Sequence, residues 1–567
     1  MTDQLLHSLQ TLIETERELC HVPGTAVAVV HNGRTLLSQG FGQRDVAEAL
    51  PMTSTTLFPI ASSSKAFTAT AVGSLVDDGL LSWDRPIREY LPGFRMWDPV
   101  ATELLTLRDM LSHRSGLPRH DLMWYGNERS SRREIVDALR YLQSSLSLRE
   151  GWQYNNLMYL TAGLLIELLT GDSWEDAVRA RLLEPLGMAA TVPSGSEAAK
   201  SDVSQGYVRR NELTELLQSR DNTLMGPAGG IWSSAEDLVH WLQVNLDNGR
   251  HDGKQVISAA SLAELHRPAM LLPTPLLGWS EVTRIGYALG WEVDSYRGHR
   301  MVQHGGNLDG FSSMITLLPD DGIGVAVLTN MLGTPLRDII PFAVSDLLLG
   351  LDPLPWGERY RTADDALTSG EREGSERRRE SSTRAPFTRP LAEYAGEYRH
   401  PGYGPLRVEL HAAKLQVRFG ALTLAVRHLN NDAFEIIDDA MDLTIPAQFG
   451  SDLEGNSDSI SVMLEPAVEP IVFQRQPPVV DAQTLAGLVG SYRRGPIEAT
   501  ISASGDSELH AAFGDLPATK LVARRPGVFG VEGSPQETVE FLLDADGLSS
   551  ALITWSMGRF DREPGTA

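Results

Sequence analysis

The run Ile60-Ala61-Ser62-Ser63-Ser64-Lys65-Ala66-Phe67-Thr68-Ala69-Thr70 constrains this chain more than any other stretch. Ala66, Phe67, Ala69, Val72 and Leu75 recur at helical spacing, so the segment reads as the start of a buried helix. Residues three apart are neighbours on a helix surface, which lets the Lys65 ammonium reach the Ser62 hydroxyl. The positive end of the helix dipole acts in the same sense. Both polarise an oxygen that is otherwise a poor nucleophile. Ser-x-x-Lys is weak evidence alone: with five lysines in the chain, chance supplies such a pair in about a third of sequences. Partner motifs have to decide.

Two follow in order. Tyr154-Asn155-Asn156 stands directly before an apolar helix beginning at Leu157, on a turn suited to face a cleft. A phenol titrates near 10, and an adjacent ammonium is expected to bring Tyr154 down toward working pH. Tyr125-Gly126-Asn127 repeats the pattern in a loop with no following helix and reads as surface. His304-Gly305-Gly306, followed by Asn307, ends a strand, and its glycines allow a substrate backbone to approach. Other His-x-Gly instances, at His31, His251 and His400, sit in turn contexts.

Ser62-x-x-Lys65, Tyr154-x-Asn156 and His304-x-Gly306 together resemble the serine β-lactamase and penicillin-binding-protein superfamily, in its class C-like branch of esterases and D-aminopeptidases. Leu107-Arg108-Asp109-Met110-Leu111-Ser112-His113 and Leu183-Glu184-Pro185-Leu186-Gly187-Met188 are similar to the family's text as well. The resemblance implies Ser62, Lys65 and Tyr154 as catalytic groups, with Tyr154 the expected base and Ser62 forming an acyl-enzyme. It implies Asn156 holding Lys65 or the substrate amide, His304 and Gly306 lining the substrate strand, and backbone N–H groups of Ser62 and Asn307 forming an oxyanion hole. His304 stands where many β-lactamases carry lysine, which favours a peptidase or esterase over a β-lactamase.

A coarse pass gives an amphipathic helix over residues 2–20, a hairpin Thr25–Val30 and Arg34–Gly40 turning at Asn32-Gly33, and helices over Leu157–Leu169 and Ala235–Leu246. Strands are expected at Tyr287–Val293, His299–His304, Ser312–Leu318 and Gly324–Asn330. The fold class is α+β. Residues 358–386 are crowded with Glu, Arg, Ser and Thr, which suggests a mobile linker. Beyond it Leu391-Ala392-Glu393-Tyr394-Ala395-Gly396-Glu397-Tyr398-Arg399 is echoed by Leu485-Ala486-Gly487-Leu488-Val489-Gly490-Ser491-Tyr492-Arg493. Two small β-barrels follow from that repeat, resembling the lipocalin-like domains appended to bacterial D-aminopeptidases. The expected division is a hydrolase domain over 1–355, a linker over 356–387, and barrels over 388–477 and 478–567.

A net charge of −25 argues against nucleic acid and anionic membranes as partners. The one cysteine, Cys20, excludes an internal disulfide. His113, Arg114, Arg119, His120 and Asp121 lack ligand spacing and read as a polar loop near the cleft mouth, so neither metal nor cofactor is expected. Gly226-Pro227-Ala228-Gly229-Gly230 reads as a tight turn under the site. The N-terminus shows no secretory signal and no apolar run reaches ~18–20 residues, so a cytoplasmic enzyme acting on a small peptide or ester, possible as a homo-oligomer, is expected.

Overall fold

The computed structural model describes residues 2–125, 131–199, 202–210, 212–219, 223–273, 278–367, 385–438, 443–452, 457–478, 480–505, 508–525, 527–544 and 548–564. The N-terminal part is built on an eight-stranded antiparallel sheet. Its strands are β1 (Gly24–His31), β2 (Arg34–Asp45), β3 (Leu50–Pro51), β4 (Val282–Tyr287), β5 (Glu292–Tyr296), β6 (His299–Leu308), β7 (Phe311–Leu318) and β8 (Ile323–Thr329), in the order β4-β5-β6-β7-β8-β1-β2-β3. Asn32 and Gly33 take φ of 51° and 75°, the pair of positive angles that a tight two-residue hairpin demands.

Side chains alternate across a strand, and in β1 both directions are buried. Val27 and Val29 face α1 (Thr2–Leu19) and α5 (Leu336–Leu349), packing with Leu9, Ile13, Ile339 and Ile340. Ala26, Ala28 and Val30 face the opposite core. A sheet covered on both faces explains why β1 and β8 read as continuous apolar runs. On the second face α4 (Ala235–Leu246) lies against β1 and β8, and its Trp241 stacks on Phe67 of α2 (Ser64–Asp77) with ring centroids 3.7 Å apart. The helix α3 (Asn156–Thr170) packs on α2 in turn, ended by Gly171 at φ 79°.

Two expectations need correction. Tyr287–Val293 is not one strand: β4 ends at Tyr287, β5 begins at Glu292, and Gly290 turns between them at φ 84°. The apolar residues there are buried because the turn wedges against α2; a Cβ on Gly290 would lie 3.0 Å from the Lys65 carbonyl oxygen. The first part of the linker expected over 356–387 is a helix. Residues 356–367 are helical, with Trp356 buried among Tyr296 and Phe342. Its aromatic residues anchor it, and Arg359 and Arg361 pair with Glu281 and Glu16, which composition alone does not reveal. Residues 368–384 lie outside the described residues.

The C-terminal part is two closed antiparallel barrels of eight strands each. One closes Gly396–His400 against Ile471–Arg475, the other Gly490–Arg494 against Gly558–Arg562. Both carry the same interior plug. Arg475 lies 5.6 Å from the Tyr398 ring and donates to the carbonyls of Glu393, Ala395 and Ser457. Arg562 lies 5.9 Å from the Tyr492 ring and donates to those of Gly487, Val489 and Ser549. The chain is thus α+β with two small barrels appended.

Candidate active site

Ser62 sits in a tight turn, Ala61–Ser63, that leads into α2. Ala61 takes φ 47°, a left-handed conformation that costs an alanine energy and persists only where surroundings enforce it. The three serines are sorted by their partners. Ser63 Oγ donates to the His304 carbonyl at 2.9 Å and Ser64 Oγ accepts from the Ile231 N–H at 3.1 Å, both fully buried. Ser62 alone is half-buried and lines a 470 Å³ cleft.

Lys65 is wholly enclosed, with Nζ 3.1 Å from Ser62 Oγ, 2.7 Å from Asn156 Oδ1 and 2.8 Å from the Ala228 carbonyl. Burial disfavours its charged form, and with Arg119 nearby its pKa falls well below that of an ordinary lysine, against a smaller opposing pull from Asp121. Asn156 also donates to Asp121 Oδ1 at 2.9 Å, so its amide bridges Lys65 and Asp121. The Gly226–Gly229 turn under the site supplies the Ala228 carbonyl as well as the Pro227 carbonyl that accepts from Thr68.

Tyr154 lines the cleft, its ring 4.7 Å from Lys65 Nζ and 4.9 Å from the Arg119 guanidinium. Its expected acidification is reversed. Desolvation outweighs both its hydrogen bond with Ser62 and the Arg119 charge, and raises the phenol above its usual range.

His304 is buried at the cleft edge, and its hydrogen bonds fix its tautomer. Nδ1 lies 2.6 Å from the Gly305 carbonyl and so donates, leaving Nε2 to accept from Tyr287 Oη at 2.8 Å. His113 Nδ1 accepts from the Asn155 N–H, and its Nε2 donates to the same Tyr287 oxygen at 3.2 Å. The chain Asn155, His113, Tyr287, His304, Gly305 is thus a one-way series of neutral groups. Burial pushes His304 down to about 3 and lowers His113 in the same direction. Gly306 meets the nucleophile turn: a Cβ there would lie 2.3 Å from the Ile60 carbonyl and 2.8 Å from the Ser62 nitrogen. Asn307 lines the cleft too, its Oδ1 accepting from Ser312 and Arg337.

The polar stretch 113–121 is no loose loop. His113 and His120 are buried, Arg114 pairs with Asp109, and Arg119 lines the cleft. Of the second Tyr-x-Asn, Tyr125 donates to Asp309, while Gly126 and Asn127 lie outside the described residues. Among the described residues no group of three or more His, Cys, Asp or Glu is placed to hold a metal.

Residues 9–347 match the Beta-lactamase family. The chain belongs to the beta-lactamase family. Residues 380–475, spanning the first barrel, match a domain of unknown function, DUF3471. An unguisins hydrolase of Aspergillus campestris is 30% identical over 72% of this chain and 78% of its own length. Protein flp of Staphylococcus aureus is 27% identical over 58% of this chain and 64% of its own. The fold is shared with the octameric penicillin-binding protein homologue from Pyrococcus abyssi, at a TM-score of 0.54 and 22% identity over 82% of this chain and 99% of that one. The chain is a hydrolase of the β-lactamase fold.

Several residues of this beta-lactamase-family site carry no motif. Ala228 contributes only a carbonyl, which no side-chain pattern announces. Asp121 and Tyr287 act on motif residues from distant sequence positions. Asp294 lines the cleft almost wholly buried: Oδ2 accepts from Gln303 at 2.9 Å, the Ile285 backbone N–H lies beside it, and Oδ1 has no hydrogen-bond partner among the described residues.

Proposed function

We propose that this protein is a serine hydrolase that cleaves amide bonds of small peptides, D-residue or nonribosomal ones included, through an acyl-enzyme on Ser62. The observation that carries the reading is Lys65. A neutral amine in its pocket spends two N–H bonds on Asn156 Oδ1 and the Ala228 carbonyl, so its lone pair faces Ser62 Oγ. Ser62 attacks the substrate carbonyl as its proton passes to Lys65 Nζ. The tetrahedral oxyanion is held by backbone N–H groups, those of Ser62 and Asn307 in this reading. Collapse breaks the C–N bond, and the departing amine takes a proton from Lys65 through the Tyr154 hydroxyl. Water then enters with Lys65 as base and releases the acid.

The cleft volume suits a small substrate. His304 itself offers no cation to a carboxylate beside the scissile bond, and the charge nearest it on the cleft wall is Arg337, bonded to the Gly306 carbonyl. A relative named as an unguisins hydrolase is consistent with hydrolysis. The test is fluorophosphonate labelling of Ser62 followed by turnover of D- and L-amino-acid p-nitroanilides against p-nitrophenyl esters. Labelling lost in Ser62→Ala but kept in Ser64→Ala, with anilide cleavage, is expected. Brisk ester cleavage without anilide cleavage makes it an esterase instead.

A further inference from the structure

The first barrel meets the hydrolase part beside the site at a buried histidine, and its Glu465 also attracts the cleft residue Arg119. His120 lies between the hydrolase part and the barrel, fully enclosed and held at φ 47°. Its backbone N–H donates to Glu465 Oε2 at 2.7 Å. Its Nε2 donates to the Gln143 carbonyl at 2.9 Å, so Nδ1 accepts from the Tyr403 hydroxyl at 2.7 Å. Glu465 and Tyr403 come from two different loops of the barrel, and both are buried. Glu465 Oε1 is itself fixed by the Ala467 N–H at 3.1 Å. The barrel's Gly402 sits close against Leu142 and Tyr141, and the barrel's core joins that of the hydrolase part.

Asp121 follows His120 directly. Its Oδ1 accepts from Asn156 Nδ2 at 2.9 Å and from Trp124 Nε1 at 2.9 Å, and Asn156 Oδ1 in turn accepts from Lys65 Nζ at 2.7 Å. A left-handed histidine is intrinsically unfavourable and relaxes unless its neighbours hold it. Here the neighbours are a barrel carboxylate on its N–H and a barrel phenol on its ring. Gln143 holds the other side of the His120 ring, and Arg119 pairs with Asp121 Oδ2 at 2.6 Å, so the barrel's two contacts act together with these.

We propose that the first barrel is a positioning element of the active site, in which Glu465 and Tyr403 clamp His120 so that Asp121 and Asn156 hold Lys65 toward Ser62. The inference rests on the reading of Ser62 and Lys65 as the reacting pair. It gives the barrel a role in the chemical step rather than only in shaping access to the cleft. Neither Glu465 nor Tyr403 lines that cleft, so a small substrate binds without touching them.

The test uses the full chain and compares Glu465→Ala, Glu465→Gln and Tyr403→Phe with Tyr398→Phe. Tyr398 bonds within its own barrel, donating to the Tyr394 carbonyl and meeting Ser457 Oγ and Arg475 Nη1, and controls for loosening of the barrel itself. Ser62 acylation by a fluorophosphonate, kcat and KM on a small substrate, and melting temperature are measured for each. Glu465→Ala is expected to slow acylation and kcat by roughly 10-fold or more with KM unchanged. Glu465→Gln recovers part of this, because its amide oxygen still accepts from the His120 N–H. Tyr403→Phe falls in the same direction while Tyr398→Phe keeps wild-type rates. Unchanged acylation in Glu465→Ala and Tyr403→Phe overturns the inference, as does a loss in Tyr398→Phe that tracks melting temperature equally. A wild type not labelled at Ser62 brings down the underlying reading as well, which separates the two failures.

Discussion

Asp294 shows what a single buried carboxyl costs this cleft. The other carboxylates lining it are ion-paired, Glu292 with Arg284 and Asp338 with Arg337, whereas Asp294 is hydrogen-bonded by amides and feels Arg284 only at longer range. Burial, with the like charge of Glu292, raises it from the ordinary 3.8 to about 6. A folded-state pKa above the unfolded one means that the folded protein favours the protonated form. The penalty is absent below about pH 4 and complete above about pH 6, reaching about 3 kcal/mol at most. Asp294→Asn should therefore gain stability relative to wild type between about pH 4 and pH 7.5, measured by urea unfolding at both. An equal difference at the two pH values would assign the effect to packing. Lys65 and Tyr154 yield a second expectation. With the lysine lowered and the phenol raised, acylation should rise along one acidic limb and show no alkaline decline near pH 10, where an ordinary tyrosine would ionise. The motif residues were legible in the sequence because side-chain identity and spacing define them. The direction of the Tyr154 shift was not, because desolvation depends on enclosure by residues far along the chain.

Among the elements, β6 does the most to position the site. Ser63 bonds the His304 carbonyl and Gly306 abuts the Ser62 nitrogen, so strand and nucleophile turn are locked at two points, and Ser313 Oγ on the neighbouring β7 adds a bond to the Ile60 carbonyl. Gly306→Ala places a methyl 2.3 Å from the Ile60 carbonyl, and backbone rather than a flexible side chain has to yield. A shift of ~1 Å there is expected to slow acylation by ~100-fold. Near-native circular dichroism with that loss is the outcome that checks it; wild-type rates would show that the turn accommodates the methyl freely. Element boundaries that local chemistry controls were readable, such as the Asn32-Gly33 turn and the Gly171 stop of α3. The division between β4 and β5 was not. Tyr287-Ala288-Leu289-Gly290-Trp291 is apolar because it is wedged on α2, and a buried turn and a buried strand have the same local pattern.

For the whole molecule, the repeat in the sequence foretold two barrels but not their unequal attachment. Both use the same Tyr–Arg plug, yet the first barrel's core is continuous with the hydrolase part while the second barrel has a separate core of its own, from Leu485 to Phe560. Cooperativity follows shared buried contacts, so units with separate cores open separately. Calorimetry of the full chain should show two transitions, one for the hydrolase part together with the first barrel and one for the second barrel. Arg562→Ala strips three carbonyls of their donor and removes the cation from the Tyr492 ring. It is expected to lower only the second barrel's transition, leaving the other transition and Ser62 acylation unchanged. Arg475→Ala removes the equivalent plug from the first barrel and should lower the larger transition instead. A single transition displaced equally by both substitutions would mean that the second barrel is coupled through contacts beyond its own core.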